Sequence, residues 1–162
     1  MRSSLLCTLC SLFLTVESAF ALPKTLTATQ LVDICSSSTV SAAAAKGDQL
    51  SWQRMSDADF NEWRTGFLAY NGGSVDIVGW HHGQGEHVVS LSFWIAQGPN
   101  SHKACNYSLG SDAGLLGGLT EILGAPETVE GMAGNAYWKT ELMEVYYTQV
   151  GASTLVNISY KK

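Results

Sequence analysis

The heptapeptide VSLSFWI, residues 89–95, has the clearest strand pattern in the chain. Its odd positions hold large apolar residues, whereas its even positions hold two serines and Trp94, and this period of two is typical of a half-buried strand. Residues 75–80 and 105–109 alternate in the same way on either side, beyond glycine-containing turns. Connections this short exclude parallel crossovers, so the sequence predicts an antiparallel meander of three strands.

Helix signals flank the meander. Capping residues and helical spacing predict helices before it, beginning near Thr27 and Ser56, and one after it, from the cap Ser111-Asp112 to Gly124. Three more strand candidates close the chain. We therefore expect an α+β fold with an antiparallel sheet of about six strands packed on helices, arranged as two α-β-β-β units. The closing strand candidates are residues 136–139, 144–150 and 154–160.

The first residues have the composition of an export signal. Arg2 supplies a positive charge, a short leucine-rich run follows, and residues 19–21 have the A-x-A form of a cleavage site. The run is too short, and too often interrupted by Ser and Thr, to span a bilayer. We expect a signal peptide over residues 1–21 and a single periplasmic or secreted domain over residues 22–162.

Two cysteines follow the expected cleavage site, Cys35 and Cys105. In an oxidising compartment they can pair in one way, and a disulfide closing a loop of this length stabilises the fold by about 4 kcal/mol in the chain-entropy model. A nucleophilic cysteine is the competing interpretation. It would need an activating base, and neither cysteine has a His or Arg beside it in the sequence. The sequence therefore favours a structural disulfide.

Composition narrows the range of partners. The chain of 162 residues is 46% hydrophobic and 14% charged, with a formal net charge of −5. An acidic domain without a Lys/Arg cluster lacks the electrostatic footprint of a nucleic-acid-binding protein. No later segment is apolar for long enough to be a transmembrane helix. The sequence does not determine the oligomeric state.

Part of the chain resembles a known fold family. A helix followed by the tetrapeptide LGAP at residues 123–126, then by Tyr137-Trp138 and two alternating strands, is similar to the helix–LGxP–strand pattern of the β-lactamase-inhibitor-protein and outer-membrane-lipoprotein-A-like folds. The resemblance covers residues 111–160. It implies a cell-envelope binding module without catalysis.

The titratable cluster of interest lies on the hairpin between the first two strands of the meander. His81 and His82, with Glu86 and His87, offer imidazole and carboxylate ligands that suit Zn or Cu. Adjacent residues of a strand point to opposite faces, so at most one of His81 and His82 can join His87. The alternative is a set of solvent-exposed hairpin histidines.

Aromatic residues are the more suggestive feature. If the apolar positions of residues 89–95 face the helices, Trp94 lies on the opposite face, where we expect Trp80 to join it with Ser90 and Ser92 between them. Together with Tyr146 they are the candidate binding residues, because aromatic rings on a small polar face are typical of interfaces. The alternative is that a helix covers that face and makes both tryptophans part of the core.

The sequence contains no convincing catalytic constellation, and Ser111 fits a helix cap better than a nucleophile elbow. The leading hypothesis is a non-enzymatic periplasmic or secreted binding domain, of the inhibitor, immunity or cell-envelope interaction type, for a protein or cell-envelope ligand. The alternative is a small metal-binding protein or enzyme that uses the His81/His82–Glu86–His87 hairpin. A structural subunit that pairs with itself is a third possibility.

Overall fold

A computed structural model describes residues 25–85, 88–111, 114–130 and 134–160. The expected signal peptide lies outside these ranges. Four α-helices and two 3₁₀ helices accompany eight strands. The α-helices are α1 (Ala28–Cys35), α2 (Val40–Gly47), α3 (Asn61–Asn71) and α4 (Leu115–Leu123), and the 3₁₀ helices are Asp48–Leu50 and Asp57–Phe60. The strands are β1 (Gln53–Arg54), β2 (Ser74–His82), β3 (Val89–Gln97), β4 (Lys103–Leu109), β5 (Thr128–Glu130), β6 (Asn135–Lys139), β7 (Met143–Val150) and β8 (Ser153–Tyr160).

All eight strands form one antiparallel sheet in the order β1-β2-β3-β4-β8-β7-β6-β5. The fold is therefore α+β, as the sequence predicts, and the meander is β2-β3-β4. The order divides the sheet into two four-stranded units that meet where β4 pairs with β8. The prediction of six strands is wrong because it lacks β1 and β5. Those strands have two and three residues, too few for an alternating pattern to be visible.

Helices α1, α2 and α4 cover one face of the sheet, which we call the helix face. Thr27 caps α1 with a capping box, and Leu31, Ile34 and Cys35 are buried on one side of that helix. The six longer strands, β2, β3, β4, β6, β7 and β8, contribute alternate residues to this core. The sheet residues buried here include Val78, Trp80, Leu91, Phe93, Tyr107, Trp138, Val145, Tyr147, Val156 and Ile158.

A disulfide between Cys35 and Cys105 joins α1 to the central strand β4. This confirms the predicted pairing. Seventy residues separate the two cysteines in sequence, so in the chain-entropy model the bond stabilises the fold by about 4 kcal/mol. It also fixes the helix layer to the middle of the sheet.

The opposite face is covered at one end by α3. Trp63 and Phe67 of this helix pack on Trp94, at ring-centroid distances of 5.4 and 6.5 Å. Val75 and Ala104 complete this second, smaller apolar cluster. The helix contributes half-buried rather than fully buried side chains, so it lies against the sheet as a partial cover.

Helix α4 begins later than the sequence predicts. Its N-cap is Gly114, which has a φ of 82° and makes no side-chain capping bond, so Ser111 is not the N-cap of this helix. Asp112 lies outside the described residues. The helix ends at Gly124, as predicted, with φ again at 82°.

Close packing of α2 on the sheet depends on Gly47. A Cβ atom built on this residue would lie 2.2 Å from Cζ2 of Trp80, whereas a Cβ on Gly66 of α3 would meet nothing within 4 Å. Gly47 has φ −66° and ψ −33°, which any residue adopts. Position 47 therefore requires glycine because the Trp80 indole leaves no room for a side chain, and not because of the backbone conformation.

We predict that Gly47→Ala lowers the free energy of unfolding by about 1–3 kcal/mol, because a fully buried ring must move to admit the methyl group. Gly66→Ala is the matched control, and alanine's higher helix propensity should leave stability unchanged or raise it by up to about 1 kcal/mol. Urea unfolding followed by tryptophan fluorescence measures both. Equal stability of the two variants would contradict the packing described here.

Candidate functional site

Beyond the part covered by α3 and by Met55 and Phe60, which lie over Gly79, the second face of the sheet carries mostly small and polar side chains, and we call this surface the open face. Its residues pair directly across the strands, for example Tyr146 with Asn157 and Asn157 with Asn106. All of them are half-buried or exposed. The open face consists of Ser90, Ser92, Asn106, Ser108, Tyr137, Tyr146, Thr148, Leu155, Asn157 and Ser159.

A side-chain hydrogen bond marks the middle of the open face. Nδ2 of Asn157 donates to Oδ1 of Asn106 across the β4–β8 junction, at 2.9 Å. Ser92 continues this row on β3. These short side chains form a flat polar surface across three strands. Their hydrogen-bonding groups that are not used within the row remain as donors and acceptors on this surface.

The row ends at an aromatic pair. Tyr137 of β6 and Tyr146 of β7 lie directly opposite each other with ring centroids 4.6 Å apart. Tyr146 is 47% exposed. The two rings line a groove of about 340 Å³, which also includes Asn135, Thr128 and Thr148.

The electrostatic environment of this pair is acidic. Partial burial, hydrogen bonding with Tyr146, and the nearby carboxylates of Glu144 and Glu127 raise the pKa of Tyr137 to about 12. Lys139 lies across from Glu144, with its Nζ 3.9 Å from Oε1 of the carboxylate. Oδ1 of Asn135 is buried and has no hydrogen-bond partner among the described residues. The groove therefore offers the ring of Tyr146 and the hydroxyl-bearing side chains of Thr128 and Thr148, which can both donate and accept.

Of the three candidate binding residues, Tyr146 lies on the open face and is exposed, whereas Trp80 does not lie on this face. Trp80 pairs with Leu91, points into the helix-face core and is fully buried. Its Nε1 donates to Oδ1 of Asp48 at 2.9 Å, so its polar atom is satisfied within the fold. The expectation of an exposed Trp80 beside Trp94 is therefore wrong.

Trp94 lies on the side of the sheet that the sequence predicts, but it is only 7% exposed because α3 covers it. Its Nε1 donates to Nε2 of His102 at 3.2 Å. The other ring nitrogen of His102, Nδ1, lies 2.8 Å from the carbonyl oxygen of Asn100 and donates to it when Nε2 accepts. Trp94 is a core residue, which is the alternative that the sequence left open.

The histidine hairpin is described in part. His81 and His82 end β2 on opposite faces, and the ring of His82 stacks on Trp52 with centroids 6.0 Å apart. Glu86 and His87 lie outside the described residues. Within the described ranges no group of three or more His, Cys, Asp or Glu side chains is placed to hold a metal ion. Zn or Cu binding by His82, Glu86 and His87 stays a prediction.

Tyr137 is the residue of the candidate site that the sequence analysis missed. Its strand was predicted as residues 136–139, and alternation along the strand places Tyr137 on the opposite face of the sheet from Trp138. The missing information was the β6–β7 register, which sets Tyr137 against Tyr146. That register follows from a turn at residues 140–142, where Thr140 Oγ1 accepts from the backbone N–H of Leu142 and of Met143.

Comparisons of this chain with protein-family models, curated proteins and solved structures find no match. No helix in the described ranges is long and apolar enough to cross a membrane.

We predict that Tyr137 contributes to the pH dependence of stability in alkali. A phenol whose pKa rises from 10 in the unfolded chain to about 12 in the fold gives stability that is present below pH 10 and is lost as the pH rises through 12. Between these pH values the wild type should lose more unfolding free energy than Tyr137→Phe.

Urea unfolding at successive pH values between 9 and 12 measures this difference, with Tyr70→Phe as the control. Tyr70 is 88% exposed on α3, and its replacement should leave the wild-type profile unchanged. Parallel pH profiles for the wild type and Tyr137→Phe would contradict the environment described for Tyr137.

Proposed function

We propose that this protein is an exported, non-enzymatic binding module that holds a protein partner on its open face. The observation that carries the proposal is the unequal covering of the sheet: three helices cover the helix face, whereas part of the other face is left to small polar residues, Leu155 and a tyrosine pair of which Tyr146 is exposed and Tyr137 half-buried. Antiparallel sheets commonly expose one face, and such a face provides a preformed rigid surface for a partner.

The composition of the open face suits a protein partner. Its centre holds serine and asparagine side chains, which adapt their hydrogen bonds, and its edge holds Tyr137 and Tyr146. Tyrosine contributes a large contact area with few rotatable bonds, so it is enriched among the residues that dominate binding energy. Leu155, which is 42% exposed, adds apolar area beside the asparagine row.

Export is part of the proposal. The predicted signal peptide over residues 1–21 takes the chain to an oxidising compartment, and the disulfide between Cys35 and Cys105 is of the kind that persists there. The resemblance of residues 111–160 to β-lactamase-inhibitor-protein and outer-membrane-lipoprotein-A-like folds implies the same location and class. We therefore place the protein in the inhibitor, immunity or cell-envelope interaction type.

Two leucine-to-arginine variants test the proposal. Leu155→Arg places a long charged side chain on the open face, whereas Leu142→Arg places the same side chain at the exposed β6–β7 turn, where Leu142 is 74% exposed. The partner is first captured from envelope and culture-medium extracts with the wild type, and its affinity for purified variants is then measured by calorimetry. We expect Leu155→Arg to weaken binding roughly tenfold or more, as for a disturbed interface centre, and Leu142→Arg to bind like the wild type.

Equal affinities of the two variants, or a larger loss for Leu142→Arg, would place the interface elsewhere. Failure of the folded wild-type protein to retain any protein from these extracts would also contradict the proposal. Circular dichroism of both variants establishes that neither substitution unfolds the sheet.

A further inference from the structure

We propose that Asn106 is the acceptor of an N-linked glycan, which is attached during export and stands on the open face. Residues 106–108, with the sequence NYS, and residues 157–159, with the sequence NIS, both have the N-x-S form of a glycosylation acceptor in secreted proteins. The inference goes beyond the proposed function, because it does not depend on a protein partner. It depends on the predicted signal peptide, since the transfer takes place in a secretory pathway.

The transfer forms one bond and breaks one. Nδ2 of the asparagine attacks the anomeric carbon of an oligosaccharide carried on a polyprenyl diphosphate, and the new N–C bond replaces the C–O bond to the diphosphate. The diphosphate leaves with the electron pair of that bond, and a base of the transferase takes the proton from Nδ2. Strand β4 pairs with β3 on one side and β8 on the other. The chain must therefore receive the sugar before the sheet forms.

The fold decides whether a glycan on this strand can be accommodated. The asparagine and serine of an N-x-S triplet are two residues apart, so in a strand both point to the same face. In β4 this is the open face, where Asn106 and Ser108 are half-buried, whereas Tyr107 between them is fully buried on the helix face. A glycan on Asn106 therefore extends from the surface of the folded protein, where such bulky groups occur.

The neighbours of Asn106 leave room for a sugar ring. Ser92 lies directly across from Asn106 on β3, and Ser90 lies across from Ser108. The β3–β4 part of the open face thus consists of short polar side chains. Tyr146 lies on β7, separated from Asn106 by strand β8, so its ring stays accessible to a protein partner.

The charge of the open face gives a second, independent argument. None of the residues that define this face is charged, and the ion pair of Lys139 with Glu144 lies at its rim. Charged side chains are what usually keeps an exposed surface from associating. A glycan is bulky and solubilising, so it gives this flat, uncharged surface the protection that charges give elsewhere.

The hydrogen bond between the two sequon asparagines distinguishes them. Asn106 accepts through Oδ1, and its Nδ2 makes no hydrogen bond within the described residues, whereas Nδ2 of Asn157 is the donor. A sugar on Nδ2 of Asn106 leaves this bond intact, whereas a sugar on Asn157 replaces a hydrogen of the donor atom itself. The Cβ atoms of directly opposed residues lie about 5 Å apart, too close for both side chains to carry a sugar. We therefore expect a single glycan, on Asn106.

The mass of the exported protein tests the assignment. The full chain is expressed with its own leader in its natural source, and its intact mass is measured before and after digestion with peptide-N-glycosidase. We expect the mass to exceed that of the mature polypeptide by one N-glycan and to fall on digestion. The digestion converts the modified asparagine to aspartate. Carried out in H₂¹⁸O and followed by tandem mass spectrometry, it should locate this conversion at Asn106.

Two serine-to-alanine variants form a matched pair. Both remove a hydroxyl group from a half-buried residue of the open face, and neither replaces a partner in the hydrogen bond between Asn106 and Asn157. Ser108→Ala destroys the first sequon and should be exported without the glycan, whereas Ser159→Ala destroys the second and should carry the glycan like the wild type. Ser108→Thr keeps an N-x-T sequon and should keep the glycan.

A wild type exported at the mass of the bare polypeptide, a glycan that persists in Ser108→Ala, or conversion at Asn157 in place of Asn106 would each overturn the assignment. Circular dichroism of the exported variants establishes that they keep the fold. The mass measurement involves no partner. Its result therefore stands whether Leu155→Arg weakens partner binding or not, and failure of the proposed function is distinguishable from failure of the glycan site.

Discussion

The structure depends on one constraint: a single antiparallel sheet has two faces, and the α-helices of the described ranges cover one of them fully and the other in part. Helices α1, α2 and α4 lie on the same face and share its core, and the Cys35–Cys105 bond ties that layer to β4 in the centre of the sheet. In the part of the chain that the structure describes, the second face is covered by α3 at the Trp94 end and by Met55 and Phe60 over Gly79. Apart from Leu155 and Tyr146, the alternate residues of β4, β8 and β7 that remain uncovered are small or polar, since large apolar side chains there would stay in water.

The same constraint separates structural tryptophans from binding residues. Trp80, Trp94 and Trp138 each place the indole in a core and donate their Nε1 hydrogen within the fold, to Asp48, His102 and the Gly124 carbonyl. They hold the helices and the hairpin turns against the sheet. On the open face the exposed aromatic side chain is Tyr146, which pairs with the half-buried Tyr137 at the far edge of that face. The proposed binding face therefore relies on Tyr146, whose burial the fold does not require.

The sequence predicted the parts of the fold that repeat a local pattern. The alternation of apolar and polar residues predicted six of the strands, and the Thr27 cap predicted the start of α1. The two cysteines that follow the expected signal peptide predicted the disulfide. The sequence could not predict on which face of the sheet Trp80 lies. Strand β2 is covered by α2 on one face and by α3 on the other, so apolar residues occur on both faces and polar and apolar positions do not alternate clearly. The register between β2 and β3 decides on which face Trp80 lies. This register depends on the length of the connecting loop, which the hydrophobic pattern of the sequence does not define. Tyr137 was missed for the same reason, since cross-strand neighbours depend on register.

Hydroxyl-radical footprinting of the folded protein measures the unequal covering of the sheet most directly. Free tryptophan reacts with the radical at least as readily as free tyrosine, so differences in the fold report access of solvent to each ring. We expect the peptide containing Tyr146 to be oxidised rapidly, while Trp80 and Trp94 are protected until the protein is unfolded. Oxidation of Trp80 or Trp94 at a rate equal to that of Tyr146, in the native state, would contradict the two-sided arrangement from which the binding face is inferred.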